Sequence, residues 1–597
     1  MKKKQKGKQN SQKSIPAKIS DPKWIPWATV VLIVAMYLIS LANKGALTWA
    51  FNAIVYGPYS WGFFFTLFCV SLVFLAAKYQ DLITRKIQNR NIQYLFLAFL
   101  LAGFVYMLLA NQPLYPTLEG DGNLNPPGRL RNLIVNTIFK IVSTDETTAA
   151  AISWRLVGIV YITFFTIFIF SITKEFWERF WGLAYFSLFP GVLNFCGYID
   201  SYAVFYTCVS IFLGSLYLVV KRHLPYFLIP SIIFLGLSTW EHKFFELGLL
   251  FPALWILLFW LKNKEISLTI RNIIIVLTIL FTSIPGFWIK RNTGDFGILF
   301  SHVLHYDGLI AALYHPLILM LSFLLPYVFF VILFVSTRPK HLWFFENFEL
   351  GAAFYGTLAI FLAYYLLQLF TPIAIFGIGD FFCQAGCLGG IFVVPLFVMG
   401  METPIKKYFY CIVILCLFLT IPNIVLHRHP DVANRIINVV DGERSEYYDV
   451  TSPHVHFGSK FIDIAKSQDM KLRFIAYKIF EKGIHNHGFY EHFIPKNYYF
   501  LIRWQYEMGD FDLGKKNMET FLRTMPGKFE GLLGPGAGPA IKVYTKNSLV
   551  RLGDMETLAN KLLQETGNPI YTRIETACEQ NLYIAQNIMT SENTGIR

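Results

Sequence analysis

Charge is what this sequence has least of. Only 15% of its 597 residues are Asp, Glu, Lys or Arg, while 55% are hydrophobic and the mean hydropathy is +0.46. That balance excludes an ordinary soluble globular protein and makes lipid the natural solvent of the chain. Cysteine is also sparse. The eight thiols are scattered, and Cys69, Cys208, Cys411 and Cys416 sit inside apolar runs. A disulfide framework is therefore excluded, and such thiols act as small buried groups. A cleavable leader is not the expectation either: Trp24 to Ala42 is a long apolar stretch that runs on into further apolar segments, which reads as a retained first span. Beyond Leu426 long apolar runs are absent.

What is present is a series of apolar runs at 24–43, 61–77, 92–110, 151–171, 181–196, 202–220, 224–239, 244–261, 272–289, 316–335, 350–370, 386–400 and 408–426. Each is long enough to cross, or nearly cross, a hydrocarbon core roughly 30 Å thick, giving an all-α polytopic membrane protein with about thirteen transmembrane helices. The net charge of +14 is unevenly spread: residues 1–23 alone carry eight Lys and one Asp. That polar, Lys-rich tail predicts a disordered cytoplasmic segment lying against anionic lipid, not a nucleic-acid site. With the tail inside, the cytoplasmic loops hold fifteen Lys and Arg and the outer loops seven. The bias obeys the positive-inside rule for a multi-pass protein of a plasma or inner membrane, or of the endoplasmic reticulum in a eukaryote.

An odd span count places residues 427–597 on the non-cytoplasmic side as a separate α-helical domain. Phe500–Pro526 and Ser548–Thr566 each set Gly-Asp between two amphipathic runs. This is the pattern of a helical hairpin in a tetratricopeptide-like solenoid, and an ordinary helical domain fits it as well.

The same topology collects acids at the outer face: Glu119, Asp121, Asp145, Glu146, Asp200, Glu241, Asp295, Asp307 and Asp380. Ionisable groups near a membrane are costly and usually have a task. In the outer loop 111–150, glycines flank Asp121 within TLEGDGN and allow close approach of backbone and substrate. Pro126 and Pro127 then open a helix with Leu130, Leu133, Ile134, Ile138 and Ile141 on one face and Arg131, Asn132 and Asn136 on the other. Such a helix lies in the interface plane.

Asp121, Pro126-Pro127, Arg155-Leu156 and the CGYIDSYAVFY segment at Cys196 to Tyr206, with Asp200 in the acidic position, together resemble the membrane-embedded GT-C glycosyltransferases. The likeness is to the protein O-mannosyltransferase and aminoarabinose-transferase branch and covers roughly residues 100–240. It implies a GT-C-like domain over residues 24–426, a polyprenyl-phosphate sugar donor, and a lipid, glycan or protein acceptor.

Chemistry assigns roles beside that resemblance. A hydroxyl attacking an anomeric carbon needs a general base, for which Asp121 is the candidate. Asp200 orients the acceptor or, with Asp121, holds a divalent cation such as Mg or Mn through oxygen ligands. The departing lipid phosphate needs positive charge: Lys243 and Arg291 at outer mouths are the first candidates and Arg129 and Arg131 the next. Lesser patterns are read structurally. His302, His305 and Asp307 are interfacial polar groups without a fourth zinc ligand at matching spacing, and Cys383 and Cys387 are a pair of thiols about one turn apart. Two other functions fit the composition: a lipid-linked-sugar transporter or flippase, which would place charges near mid-membrane, and a non-catalytic scaffold working through its C-terminal domain.

Overall fold

Apolar runs that fall among the described residues become helices. The computed structural model describes residues 22–45, 48–57, 60–87, 89–111, 129–142, 146–196, 203–241, 324–337 and 404–440, with Phe397, Met401 and six isolated helical positions beyond residue 515. In chain order the helices are α1 (Ile25–Ala42), α2 (Trp61–Lys86), α3 (Arg90–Ala110), α4 (Arg129–Val142), α5 (Glu146–Ile172), α6 (Phe176–Leu188), α7 (Ala203–Arg222), α8 (Leu228–Glu241), α9 (Leu325–Thr337), α10 (Phe409–Leu426) and α11 (Asp431–Val440). Short 3-10 segments at Asn52–Val55, Pro190–Phe195, Pro225–Phe227 and Pro404–Tyr408 join them. Among the described residues there is no strand.

Among the described residues five stretches are long and apolar enough to cross a bilayer: Ile25–Ala42, Trp61–Gln80, Arg90–Ala110, Thr148–Ile172 and Ile405–Leu426. They fit an integral membrane protein. Several of their hydroxyls are satisfied within the helix, as lipid requires: Thr29 donates to the Ile25 carbonyl at 3.0 Å, Ser40 to Met36 at 2.7 Å and Thr66 to Gly62 at 2.7 Å. Asn89 caps α3 by accepting from the Asn91 N–H at 2.9 Å, and a reciprocal Glu175–Glu178 capping box starts α6.

One run departs from its reading. The stretch 181–196 is not a single helix: α6 begins earlier, at Phe176, and stops at Leu188, and Pro190 opens a 3-10 segment. Proline has no N–H to continue the ladder and drives the preceding Phe189 out of the helical region, to φ −60° and ψ 138°. The runs 244–261, 272–289 and 350–370, nearly all of 386–400, the tail, and residues 441–597 apart from the isolated positions lie outside the described residues.

The hub is α10. Its spanning window is 83% buried, against 17–44% for the other four, because α1, α2, α6 and α9 all pack on it. Aromatic rings fill these contacts, with Phe409 meeting Phe397 at 4.8 Å and Phe330 at 5.4 Å between centroids. A second layer comprises α5, α7 and α8, with α4 lying across α5 and α8. Stacked Phe165 and Phe186, 4.1 Å apart, tie α5 to α6. Close approach needs glycine: a Cβ at Gly158 would stand 2.7 Å from Phe195 and 2.9 Å from Leu108.

The bundle has two distinct ends. At one, Arg222 donates to the Ile172 carbonyl at 2.7 Å, Arg179 to the Thr173 carbonyl at 3.2 Å, and Lys406 pairs with Glu175 and Glu178, each at 2.7 Å. Ala50, Asn111 at the end of α3, Cys196 and the exit from α10 meet at the opposite end.

Candidate functional site

At that second end two arginines converge on one residue. Asn111 terminates α3, Arg155 sits about two turns inside the spanning part of α5, and Arg428 follows α10. Arg155 Nη2 donates to the Asn111 carbonyl at 2.6 Å, and Arg428 Nε donates to Asn111 Oδ1 at 3.1 Å. Asn111 is fully buried and its amide donates to the Cys196 carbonyl at 2.5 Å. One asparagine thereby holds the ends of α3 and the Pro190–Phe195 segment, the interior of α5 and the exit of α10.

The guanidiniums are close enough for their charges to repel, and among the described residues neither forms an ion pair. Arg155 Nε is buried without a hydrogen-bond partner. Arg428 is exposed.

Beside this knot lies a clasp built on a buried cation. Arg435 is only 1% exposed and its guanidinium lies 3.7 Å from the centre of the Trp49 ring. Its Nε donates to Asn52 Oδ1 at 2.8 Å, its Nη1 to Asn423 Oδ1 at 2.9 Å, and its Nη2 to the Trp49 carbonyl. The two asparagines are themselves anchored: Asn423 donates to the carbonyls of Leu419 and Ala50, and Asn52 to those of Lys44 and Gly45. Asp431 accepts from the Gly57 N–H at 2.9 Å, and Asn438 donates to the Tyr56 hydroxyl at 2.9 Å. Burial pushes the Tyr56 phenol above its ordinary range, against smaller opposing effects of the Asn438 hydrogen bond and the Arg435 charge. The first connection and the start of α11 are fastened together by these contacts.

The residues picked from sequence fall mostly elsewhere. Asp121, Asp200, Lys243 and Arg291 lie outside the described residues, as do His302, His305, Asp307, Cys383 and Cys387. Arg129 and Arg131 stand in the first turn of α4. What the described residues do place is the chain on either side: Asn111 precedes Asp121 by ten residues, Cys196 precedes Asp200 by four, and the two anchors are hydrogen-bonded to each other. Among the described residues no group of three His, Cys, Asp or Glu gathers to hold a metal. Cys69, Cys196, Cys208, Cys411 and Cys416 are buried thiols outside any disulfide.

Arg155 had a signal in the sequence, as an ionisable residue inside an apolar run. Arg428 and Arg435 had none, since their partners Asn111 and Asn52 lie more than 300 residues away. Compared with family models, with curated proteins and with solved structures, the chain matches none.

Proposed function

We propose that this chain is a membrane glycosyltransferase that moves a sugar from a polyprenyl-phosphate carrier to an acceptor on the non-cytoplasmic face. In this reading about thirteen spans form a GT-C-like domain over 24–426, and residues 427–597 form an outer helical domain of tetratricopeptide-like hairpins that presents the acceptor. The Lys-rich tail is cytoplasmic. Asp121 takes the proton of the attacking hydroxyl as the hydroxyl oxygen bonds to the anomeric carbon and the bond from that carbon to the phosphate oxygen breaks. Asp200 orients the acceptor or shares a divalent cation with Asp121, and Lys243, Arg291, Arg129 and Arg131 are the sequence-derived partners of the departing phosphate.

The observation that carries this reading is the hydrogen bond between Asn111 and Cys196. It joins Asn111, ten residues before Asp121, to Cys196, four residues before Asp200, beside two arginines whose charge suits a leaving phosphate. Transfer from a lipid phosphate requires an acid to take the proton and a cation beside the leaving phosphate. The test compares sugar transfer by Asp121→Asn, Asp200→Asn and the control Asp145→Asn at equal protein in membranes. Asp121→Asn is expected to lose roughly 10²-fold or more in rate, Asp200→Asn a similar or smaller factor, and Asp145→Asn almost nothing. Near-normal transfer by Asp121→Asn removes it from the catalytic role.

A further inference from the structure

Arg155 and Arg428 are arranged at a cost that no partner among the described residues offsets. Two guanidiniums are held on the carbonyl and side-chain oxygens of the same residue, Asn111, at 2.6 and 3.1 Å. Like charges so placed repel, and one is half-buried inside a spanning helix, where charge is expensive. A purely structural arginine at such a position ordinarily spends its donors on protein acceptors, as Arg435 does with three acceptors and a ring. Arg155 does not. Each guanidinium has five N–H donors. Among the described residues Arg155 and Arg428 spend one apiece, and Arg155 Nε is buried without a partner.

We propose that Arg155, Arg428 and the Asn111 that positions them form an anion site that takes the phosphate of a membrane-anchored lipid. A tetrahedral phosphate offers several oxygens to two forks approaching from different helices, and its negative charge relieves the repulsion between them. Position selects the lipid source: Arg155 is rooted about two turns inside the α5 span, but its guanidinium is held on Asn111 at the end of the α3 span, the level of a headgroup whose tail stays in the bilayer. The exposed Arg428 closes the site from the solvent side. The site deepens the reading given above and rests on it only for the lipid being a polyprenyl-phosphate sugar donor. It assigns the phosphate to a pair of residues distinct from Lys243, Arg291, Arg129 and Arg131.

The experiment measures binding apart from transfer. Full-length protein in zwitterionic nanodiscs is titrated with a short-chain polyprenyl monophosphate, with inorganic phosphate, and with an ordinary anionic phospholipid, for the unaltered chain and for Arg155→Gln, Arg428→Gln and Arg155→Lys. Polyprenyl phosphate is expected to bind the unaltered protein, with affinity falling at least tenfold in each Gln variant and less in Arg155→Lys. Arg428 is exposed, so Arg428→Gln keeps the fold and decides the matter even if Arg155→Gln does not assemble. Equal response to inorganic phosphate supports the same site with a free anion as its occupant, and equal response to the anionic phospholipid supports it with a bulk headgroup. Unchanged polyprenyl phosphate affinity in Arg428→Gln overturns the site. The glycosyltransferase reading stands or falls separately: Asp121→Asn should bind polyprenyl phosphate normally while failing to transfer, and lost transfer with intact binding leaves the anion site in place.

Discussion

Arg435 is the largest of the fully buried side chains among the described residues, and its surroundings explain why a cation is tolerated there. Two asparagine oxygens and a backbone carbonyl replace the lost water, and the Trp49 face supplies cation–π stabilisation. Arg435→Ala strands Asn52 Oδ1 and Asn423 Oδ1 in a buried environment, where an unsatisfied group costs about 1–3 kcal/mol. The expected result is a loss of at least about 2 kcal/mol and a clear fall in the thermal midpoint in detergent. Arg435→Lys recovers only part of it, since a single ammonium cannot meet the same fork of acceptors. An unchanged midpoint in Arg435→Ala contradicts a clasp role. At this scale the sequence was least legible. Arg155 stood out as a charge within an apolar run, but nothing in the local pattern around Asn423 or Arg435 says that they meet Asn52, because the pairing is set by the packing of α10 and α11 against the first connection. Side chains chosen for their chemistry alone, such as Asp121 and Lys243, sit in segments where periodicity carries no positional information.

Helices were legible where composition alone decides them. The runs 24–43, 92–110 and 408–426 correspond to α1, α3 and α10 within two residues at each end, because about twenty apolar residues in lipid have no competing way to satisfy their backbone. Helix α4 also forms within the Pro-led amphipathic stretch. Its apolar stripe, though, is divided: Val135 is buried and Ile134 and Ile138 pack inward, whereas Leu133 and Ile141 remain 63% and 71% exposed. A period of 3.6 residues identifies the stripe, but only packing against α5 and α8 decides which part meets protein and which part meets lipid. The split of 181–196 had its signal in Pro190, overridden in the reading by the hydropathy around it. Element contacts also bear on the site. Gly158→Ala forces a methyl group to within 2.7 Å of Phe195 Cβ, next to the Cys196 that receives the Asn111 bond. Overpacking of this kind costs about 1–3 kcal/mol. Gly158→Ala is expected to lower both the thermal midpoint and polyprenyl phosphate affinity, whereas alanine at Gly103, where a Cβ meets nothing within 4 Å, should change neither. Equal behaviour of the two variants contradicts a tight α5 contact.

On the scale of the whole molecule, the two ends of the bundle differ in chemistry. Arg179, Arg222 and Lys406, all assigned to cytoplasmic loops by the charge bias, share one end, and the Asn111 knot and Arg435 clasp share the other. If that sidedness extends over the full chain, the Lys-rich tail and the C-terminal domain lie on opposite sides of the membrane. Cysteines introduced at Ser11 and Ser548 should then be labelled by an impermeant reagent from opposite sides of sealed vesicles, and labelling of both from one side contradicts the topology. The central claim is that the chain breaks the bond between a sugar and a lipid phosphate instead of carrying the lipid across. The direct measurement uses reconstituted full-length protein and a polyprenyl-phosphate sugar labelled separately in its sugar and its lipid, with lipid, glycan and peptide acceptors supplied outside. The account predicts that the two labels part, with the sugar label appearing on an acceptor at the face bearing the C-terminal domain and the lipid label remaining as polyprenyl phosphate. Passage of both labels together to the opposite leaflet, with the donor intact, would contradict it and identify a flippase.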